Sequence, residues 1–245
     1  MQPHQIVSRE QWIAARKALM AHEKELTVAR ERLAEERRAL PWVKVDKDYV
    51  FDGPSGKVTL GDLFKGRPQL VVQHVMFAPD WEAACKSCSF WADGLDRMVP
   101  HLAARDTATV AISLAPIAKL EDFKMRMGWT FDWVSSGSND FNRDYGVTFS
   151  PEQIATGKPM YNFGTTPFYG PELPGISVFY RNEVGEIFHT YSCFARGLDM
   201  MNAAYQYLDL TPLGRHEEGL PYPMDWVRLR DQYEPQAAKD ACCHG

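Results

Sequence analysis

The chain has 245 residues, a formal net charge of −5, 45% hydrophobic residues and 24% charged residues. This is the composition of a globular protein long enough for one large or two small domains. The acidic balance argues against a nucleic-acid partner, and no apolar run approaches the roughly 20 residues that span a bilayer. With no basic and apolar leader after Met1, the sequence predicts a cytoplasmic protein that does not bind membranes. Five cysteines are too few for a disulfide framework in a chain of this length.

A long helix is predicted first, over residues 8–40. Ser8 with Gln11 three residues on fits a capping box, and no Gly or Pro interrupts the segment before Pro41. Apolar side chains recur every seven residues, at Trp12, Leu19, Leu26, Leu33 and Leu40. The positions between them are too weak for a stable coiled coil. We therefore expect residues 1–40 to form an amphipathic arm, which either lies on the main domain or joins two subunits in a homodimer.

Strands and helices alternate in the next part of the chain. Apolar runs separated by Gly, Pro and Ser predict the strands, and longer periodic segments predict the helices. The predicted elements are a hairpin at 50–60, a strand at 69–77, a helix from 85 to about 105, a strand at 109–114 and a helix at 117–127 that Gly128 ends.

An aromatic segment with little periodicity follows at about 129–173. Its many Trp, Phe and Tyr residues indicate an ordered, loop-rich insert, whose rings either line a substrate pocket or pack against one another. A hairpin over 174–192 and a helix at 198–208 come next. Residues 41–220 are thus predicted to be one domain that contains the insert, and 221–245 a C-terminal tail.

The order of these elements predicts an α/β fold. The strand, helix and strand before the insert form a parallel βαβ unit, for which a right-handed crossover is expected. The hairpin and helix after the insert add ββα to the same sheet. We therefore expect a thioredoxin-like fold, with a central mixed sheet flanked by helices, an N-terminal helical arm and a loop-rich aromatic insert.

Several short stretches are similar to one protein family. They are His74-Val-Met-Phe-Ala-Pro-Asp-Trp, Cys85-Lys-Ser-Cys-Ser-Phe and residues 101–106, 127–129, 133–136, 140–142, 189–192, 196–197 and 208–212. Over roughly residues 10–230 the chain resembles DUF899, a family of bacterial proteins classed with thioredoxin-like folds. The resemblance implies that fold and a thiol–disulfide role. The family has Thr-Tyr where this chain has Cys193-Phe194, which implies no family-wide catalytic role for Cys193.

Cys85 and Cys88 are the side chains most suited to carry chemistry. At the start of a helix the free amide N–H groups and the positive end of the dipole stabilise a thiolate, and a second Cys one turn on can close a disulfide. Cys85 is the expected nucleophile and Cys88 the expected resolving thiol. Lys86 would lower the pKa of Cys85, whereas Asp80 and Glu82 would raise it. The alternative is a chance pair of cysteines in a helix.

Pro174, just before the second hairpin, is the third predicted catalytic residue. Its position resembles that of the cis-proline that faces the Cys pair in thioredoxin-like proteins, where it presents backbone to an extended substrate and keeps metal from the thiols. The alternative is an ordinary trans proline that begins a strand. The sequence leaves both isomers open.

Histidines offer a metal-binding alternative to redox chemistry. His74 lies on the strand before the Cys pair, His189 on the second hairpin and His101 in the helix between them. Each is either a candidate general base or an ordinary core residue. Together with Cys85 and Cys88, His74 or His189 would hold copper or zinc.

A second cluster of soft ligands lies in the predicted tail, at Cys242, Cys243 and His244. Adjacent cysteines do not easily close a relaxed disulfide with each other. The tail would bind copper or zinc, deliver an extra resolving thiol, or have no function as a solvated terminus.

Thiol–disulfide exchange is the function that the sequence favours. The segment Phe-Ala-Pro-Asp-Trp before the Cys pair is similar to that of peroxiredoxins, but these have a Thr three residues before the reactive Cys, where this chain has Glu82. We expect Cys85 to attack a disulfide in a substrate or redox partner and Cys88 to release the product, without a cofactor. The insert would narrow the substrate range. A copper- or zinc-binding protein is the alternative.

Overall fold

The computed structural model describes residues 4–158, 160–166 and 170–233. The chain divides into two compact units, Met1–Val43 and Lys44–Gly245. The predicted soft-ligand cluster Cys242, Cys243 and His244 lies outside the described residues. None of the helices in the described ranges is long and apolar enough to cross a membrane.

The first unit contains one helix, α1 (Arg9–Arg38). Its predicted capping box is confirmed, since the Ser8 hydroxyl accepts a hydrogen bond from the Gln11 amide at 3.3 Å and the Gln11 side chain accepts one from the Ser8 amide at 3.0 Å. No residue of α1, which is described throughout, is buried. The seven-residue apolar stripe is therefore exposed, and the homodimer through this helix stays a prediction.

The second unit is built on one sheet. Its strands are β1 (Val43–Lys44, at the junction of the units), β2 (Val50–Gly53), β3 (Gly56–Thr59), β4 (Gln69–His74), β5 (Thr107–Ser113), β6 (Asp132–Ser135), β7 (Gly175–Arg181) and β8 (Ile187–Phe194). Its helices are α2 (Leu60–Leu63), α3 (Lys86–Ala103), α4 (Ile117–Met127), α5 (Phe141–Asp144), α6 (Pro151–Ala155) and α7 (Ala203–Leu208), with 3-10 helices at Ala195–Met201 and Arg230–Gln232.

The strand order of the sheet is β1-β8-β7-β4-β5-β6-β2-β3. Strand β4 is parallel to β5, with Gln69 opposite Thr107, and antiparallel to β7, with Leu70 opposite Phe179. Strands β7 and β8 form the antiparallel hairpin. A parallel β4-α3-β5 unit thus shares one mixed sheet with the β7–β8 hairpin, which confirms the predicted thioredoxin-like α/β fold.

Strand β6 lies inside the segment that the sequence predicted to be a loop-rich insert. It pairs with β5 in parallel, with Ala111 opposite Trp133. Trp133, Val134 and Ser135 are all buried, so the strand has no alternation of buried and exposed residues for a sequence pattern to show. The predicted strand 69–77 is shorter in the structure, because β4 ends at His74 and the chain continues without strand pairing.

An aromatic core packs beside helices α3 and α4. The Trp133 ring lies within 6.2 Å, centroid to centroid, of Phe77, Phe123 and Trp129. The Trp133 indole N–H donates a hydrogen bond to the Ser113 hydroxyl at 3.0 Å. Buried Cys88 belongs to the same cluster, so one side of the thiol pair is built into the core.

Helix α4 ends at Gly128, as the sequence predicted. Gly128 has φ +64°, in the left-handed region that an L side chain rarely adopts. The next amide, that of Trp129, donates back to the Lys124 carbonyl at 3.0 Å and closes the last turn. The turn directs the chain from α4 into β6.

We expect Gly128→Ala to lower the free energy of unfolding by about 1 kcal/mol, because a Cβ is disfavoured at positive φ. Gly94→Ala is the matched control: Gly94 lies inside α3 with open space around its Cβ position, and the change should raise the free energy of unfolding by up to about 1 kcal/mol. Urea unfolding followed by tryptophan fluorescence measures both. Equal effects of the two substitutions would contradict the role of Gly128.

Candidate active site

The thiol pair lies where the chain passes from β4 into α3. Cys85 is the N-cap residue of α3, so its side chain lies beside the free amide groups of the first turn. Its own amide donates to the Met76 carbonyl at 3.0 Å, and its carbonyl accepts from the Ser89 amide at 2.9 Å. Cys85 is therefore fixed both to the end of the sheet and to the helix, at the predicted junction.

Cys85 and Cys88 are both thiols in this structure. Hydrogen bonding to the Cys88 side chain, and to the backbone of Cys88 and Ser87 at the start of α3, favours the Cys85 thiolate; this outweighs burial and lowers the pKa of Cys85 to about 6. The same contact and burial raise the pKa of Cys88 well above its ordinary value. The geometry thus favours ionisation at Cys85.

Charged side chains near the pair have less influence on the pKa of Cys85 than the sequence suggested. The Lys86 ammonium donates to the Asp225 carbonyl at 3.0 Å and lies 5.8 Å from the Tyr222 ring centre. Glu82 is exposed. Hydrogen bonds from the start of the helix are the largest causes that lower the pKa of Cys85.

Glu172 is a site residue that the sequence analysis missed. Its side chain is 5% exposed and accepts a hydrogen bond from the Phe77 amide at 3.3 Å. Burial, with a smaller contribution from the nearby Asp80 and Cys85, raises its pKa to about 7. Glu172 and Cys85 are 87 positions apart in the sequence, and a lone Glu between two prolines carries no recognisable signal.

Pro174 lies at the site in the trans form, one of the two isomers that the sequence left open. The described ranges contain no cis peptide bond, so the bond before Pro174 is trans and the cis interpretation is wrong. The segment is held on both sides of this bond: the Leu173 amide donates to the Val147 carbonyl at 2.9 Å, and the Tyr161 hydroxyl donates to the Pro174 carbonyl. Pro174 nevertheless lines the same cavity as Cys85 and Cys88.

The two candidate histidines join one hydrogen-bond network. His74 Nε2 lies 3.0 Å from the Ser177 hydroxyl, and His189 Nε2 lies 2.7 Å from the Ser192 hydroxyl. The two hydroxyls are 2.9 Å apart. Burial lowers the pKa of His74 to about 4 and also lowers that of His189, so both rings are neutral near pH 7. Asn142 joins this network, with its Oδ1 3.3 Å from His74 Nδ1.

A metal site is not assembled in the described part of the chain. No group of three or more His, Cys, Asp or Glu side chains there is placed to hold an ion, so Cys85 and Cys88 are not gathered with His74 or His189 as ligands. The two histidines instead use ring nitrogens to bind serine hydroxyls. His101 is exposed in the last turn of α3, roughly 20 Å along the helix axis from Cys88.

A cavity of about 730 Å³ adjoins the two thiols. Met76, Trp91, Ile176 and Leu198 are among the apolar side chains that line it. Cys193 is buried in the cluster formed with Ile176 and Leu198. A reactive thiol at the edge of a largely apolar cavity can meet a ligand away from bulk water.

Solved structures similar to this chain include two peroxiredoxins. Peroxidoxin BcpB from Mycobacterium tuberculosis is 14% identical over 69% of this chain and 97% of its own, with a TM-score of 0.46. A peroxiredoxin Q from Xanthomonas campestris is 12% identical over 71% of this chain and 98% of its own, with a TM-score of 0.45.

A third similar structure is described as a thiol:disulfide interchange protein, DsbE, from Chlorobium tepidum. It is 16% identical over 62% of this chain and 86% of its own, with a TM-score of 0.36. At these identities and TM-scores the likenesses carry no conclusion about activity. The search of curated proteins gave no match.

A family model matches nearly the whole chain. It is the model described as "Bacterial protein of unknown function (DUF899)", and it covers residues 1–233. The match includes the thiol pair, Glu172, Pro174 and the residues that line the cavity. This chain belongs to the DUF899 family.

Proposed function

We propose that this protein is a thiol–disulfide oxidoreductase. The observation that carries the proposal is the position of Cys85 at the N-cap of α3, with Cys88 one turn on in the same helix and both side chains lining one cavity. A thiolate at neutral pH beside a thiol that keeps its proton is the pair that exchange chemistry needs, because the thiolate attacks and the second thiol resolves.

The reaction consumes one substrate disulfide and two protein thiols. The Cys85 thiolate attacks one sulfur of the substrate, so that a mixed disulfide forms and the other substrate sulfur leaves as a thiolate that takes up a proton. Cys88 then loses its proton and attacks the Cys85 sulfur, which closes the Cys85–Cys88 disulfide and releases the second substrate thiol. A dithiol reductant returns the pair to its reduced state.

Glu172 is suited to accept the proton that Cys88 loses. The Phe77 amide donates to Glu172 at 3.3 Å, and the charge of Glu172 helps to raise the pKa of Cys88, so the acid and the thiol are neighbours. A carboxyl whose pKa is about 7 gives and takes protons readily near neutral pH. We assign Glu172 the role of general base in the resolving step.

We expect Cys85→Ser to abolish reduction of a disulfide substrate, and Cys88→Ser to accumulate a mixed disulfide at Cys85, because the resolving thiol is then missing. Intact-mass spectrometry after a stoichiometric pulse of disulfide separates these outcomes. Cys193→Ser, a change at a buried cysteine outside the pair, should turn over normally. Full activity of Cys85→Ser, faster turnover of hydroperoxides than of disulfides, or copper or zinc bound stoichiometrically at the pair would contradict the proposal.

We expect the rate of Cys85 alkylation by iodoacetamide to rise with a midpoint near pH 6, because the lowered pKa leaves the thiolate populated above that pH. In Cys88→Ala the loss of the donated S–H should move the midpoint upward, toward the ordinary thiol value of about 8.5. Alkylation that is quenched at set times and followed by mass spectrometry measures the pH profile of the rate for both proteins. A wild-type midpoint at or above the ordinary value would contradict the assignment of Cys85 as nucleophile.

We expect Glu172→Gln to slow closure of the Cys85–Cys88 disulfide while attack by Cys85 stays fast, because only the resolving step loses its base. The carboxyl binds a proton more tightly folded than unfolded, so wild-type stability falls as pH rises from about 4.5 through 7, and Glu172→Gln should remove this part of the fall. Rapid-quench kinetics and urea unfolding at several pH values test both effects. Parallel stability profiles of the two proteins would contradict a raised pKa.

A further inference from the structure

The space beside the thiols is bounded by a segment of the chain that comes after the hairpin. Residues 195–226 contribute much of the lining of the 730 Å³ cavity, including Leu198, Tyr205 and Met224. This volume falls within the range of about 300–1,000 Å³ that is typical of small-molecule sites. The cavity therefore has the dimensions for a whole small ligand rather than for the surface of a protein.

Several contacts fix this segment on the first turns of α3. The Trp91 indole N–H donates to the Leu198 carbonyl at 2.8 Å. The Phe90 ring lies edge-on to Tyr205 and to Trp226, with 5.6 Å between ring centres in each pair. These contacts hold residues 195–226 as a wall in front of the helix that presents Cys85.

Two charged side chains of the cavity lining, Arg215 and Glu217, are paired within the protein, whereas Arg196, also in the lining, has an exposed side chain and contacts Asp199 through Nε at 3.0 Å. The Arg215 guanidinium lies between Asp199, at 2.9 Å, and Asp209, at 2.8 Å. One Glu217 oxygen accepts hydrogen bonds from the Tyr205 hydroxyl at 2.8 Å and from the Met224 amide at 3.0 Å.

The same Glu217 oxygen also accepts from the Trp226 indole N–H, at 2.9 Å. In the part of the cavity bounded by Arg215 and Glu217, a charged ligand would lose its hydration without gaining an uncommitted ion of opposite sign, because the exposed guanidinium of Arg196 is directed to solvent. Uncharged apolar groups of a ligand have no such favourable hydration to lose, and they gain contact with the apolar lining of the cavity.

We propose that the substrate is a low-molecular-weight disulfide with uncharged apolar groups, bound in this cavity with its S–S bond at Cys85. The assignment rests on the proposed thiol–disulfide function and narrows it. One substrate RSSR is reduced to two RSH molecules while the Cys85 and Cys88 thiols are oxidised to one disulfide, and an external dithiol supplies the electrons for the next cycle.

Single-turnover oxidation of the reduced full-length protein tests the substrate class. The probes are dibenzyl disulfide, bis(2-hydroxyethyl) disulfide, oxidised glutathione and insulin, and each rate is divided by the rate of the same probe with N-acetylcysteine. We expect the ratio for dibenzyl disulfide to exceed the others by about tenfold or more, as a filled apolar pocket allows. An equal or greater ratio for insulin or oxidised glutathione would overturn the proposal.

Substitutions at Met224 test whether the cavity itself is the site. Met224→Trp should lower the rate with dibenzyl disulfide about tenfold by filling the space, and Met224→Ala should lower this rate less. Both variants should lower the rate with the smaller bis(2-hydroxyethyl) disulfide by a smaller factor. Met125→Trp is the matched control, since Met125 is 75% exposed on α4 and lies outside the cavity lining. Equal losses with both disulfides, or no loss in either Met224 variant, would overturn the proposal.

The two proposals fail in different ways. If an activated disulfide such as 2,2′-dithiodipyridine cannot close the Cys85–Cys88 disulfide, the thiol–disulfide function is wrong and the substrate class falls with it. If that reagent closes the pair but the four probes show no preference for the apolar disulfide, only the substrate class is wrong.

Discussion

The backbone of Met76 and Phe77 is the constraint on which the thiol site depends. The Met76 carbonyl accepts a hydrogen bond from the Cys85 amide at 3.0 Å. The Phe77 amide donates to Glu172. These peptide groups lie just past the end of β4 at His74, and they hold the nucleophile and the buried acid in one place.

Burial and hydrogen bonding act in opposite directions at this site. Removal from water disfavours every ionised group, which raises the pKa of Cys88 and Glu172 and lowers that of His74. Cys85 is the exception, because donors at the start of α3 converge on its sulfur and more than offset its burial. The outcome is one thiolate beside a thiol that keeps its proton, a distribution that directs attack to a single sulfur.

The thioredoxin-like sheet and the segment 195–226 have separate consequences for function. The sheet places Cys85 at the start of a helix, which provides reactivity but does not select a substrate. The segment packs on α3 through Trp91 and Phe90 and bounds the space in front of the thiols. In the proposed function, substrate selection comes from a wall built after the hairpin, whereas the sequence predicted that the aromatic insert would narrow the substrate range.

Features set by neighbouring residues were evident in the sequence: the Ser8 cap, the Gly128 stop and the Cys85–Cys88 pair at a helix start, together with the element order that indicates the fold. Each depends on chemistry within about one turn of the chain. Tertiary structure alone decided that residues 132–135 join the sheet, that the bond before Pro174 is trans and that Glu172 faces the thiols. These depend on partners far along the chain, as Phe77 and Glu172 are 95 positions apart, and on burial, which no local pattern encodes.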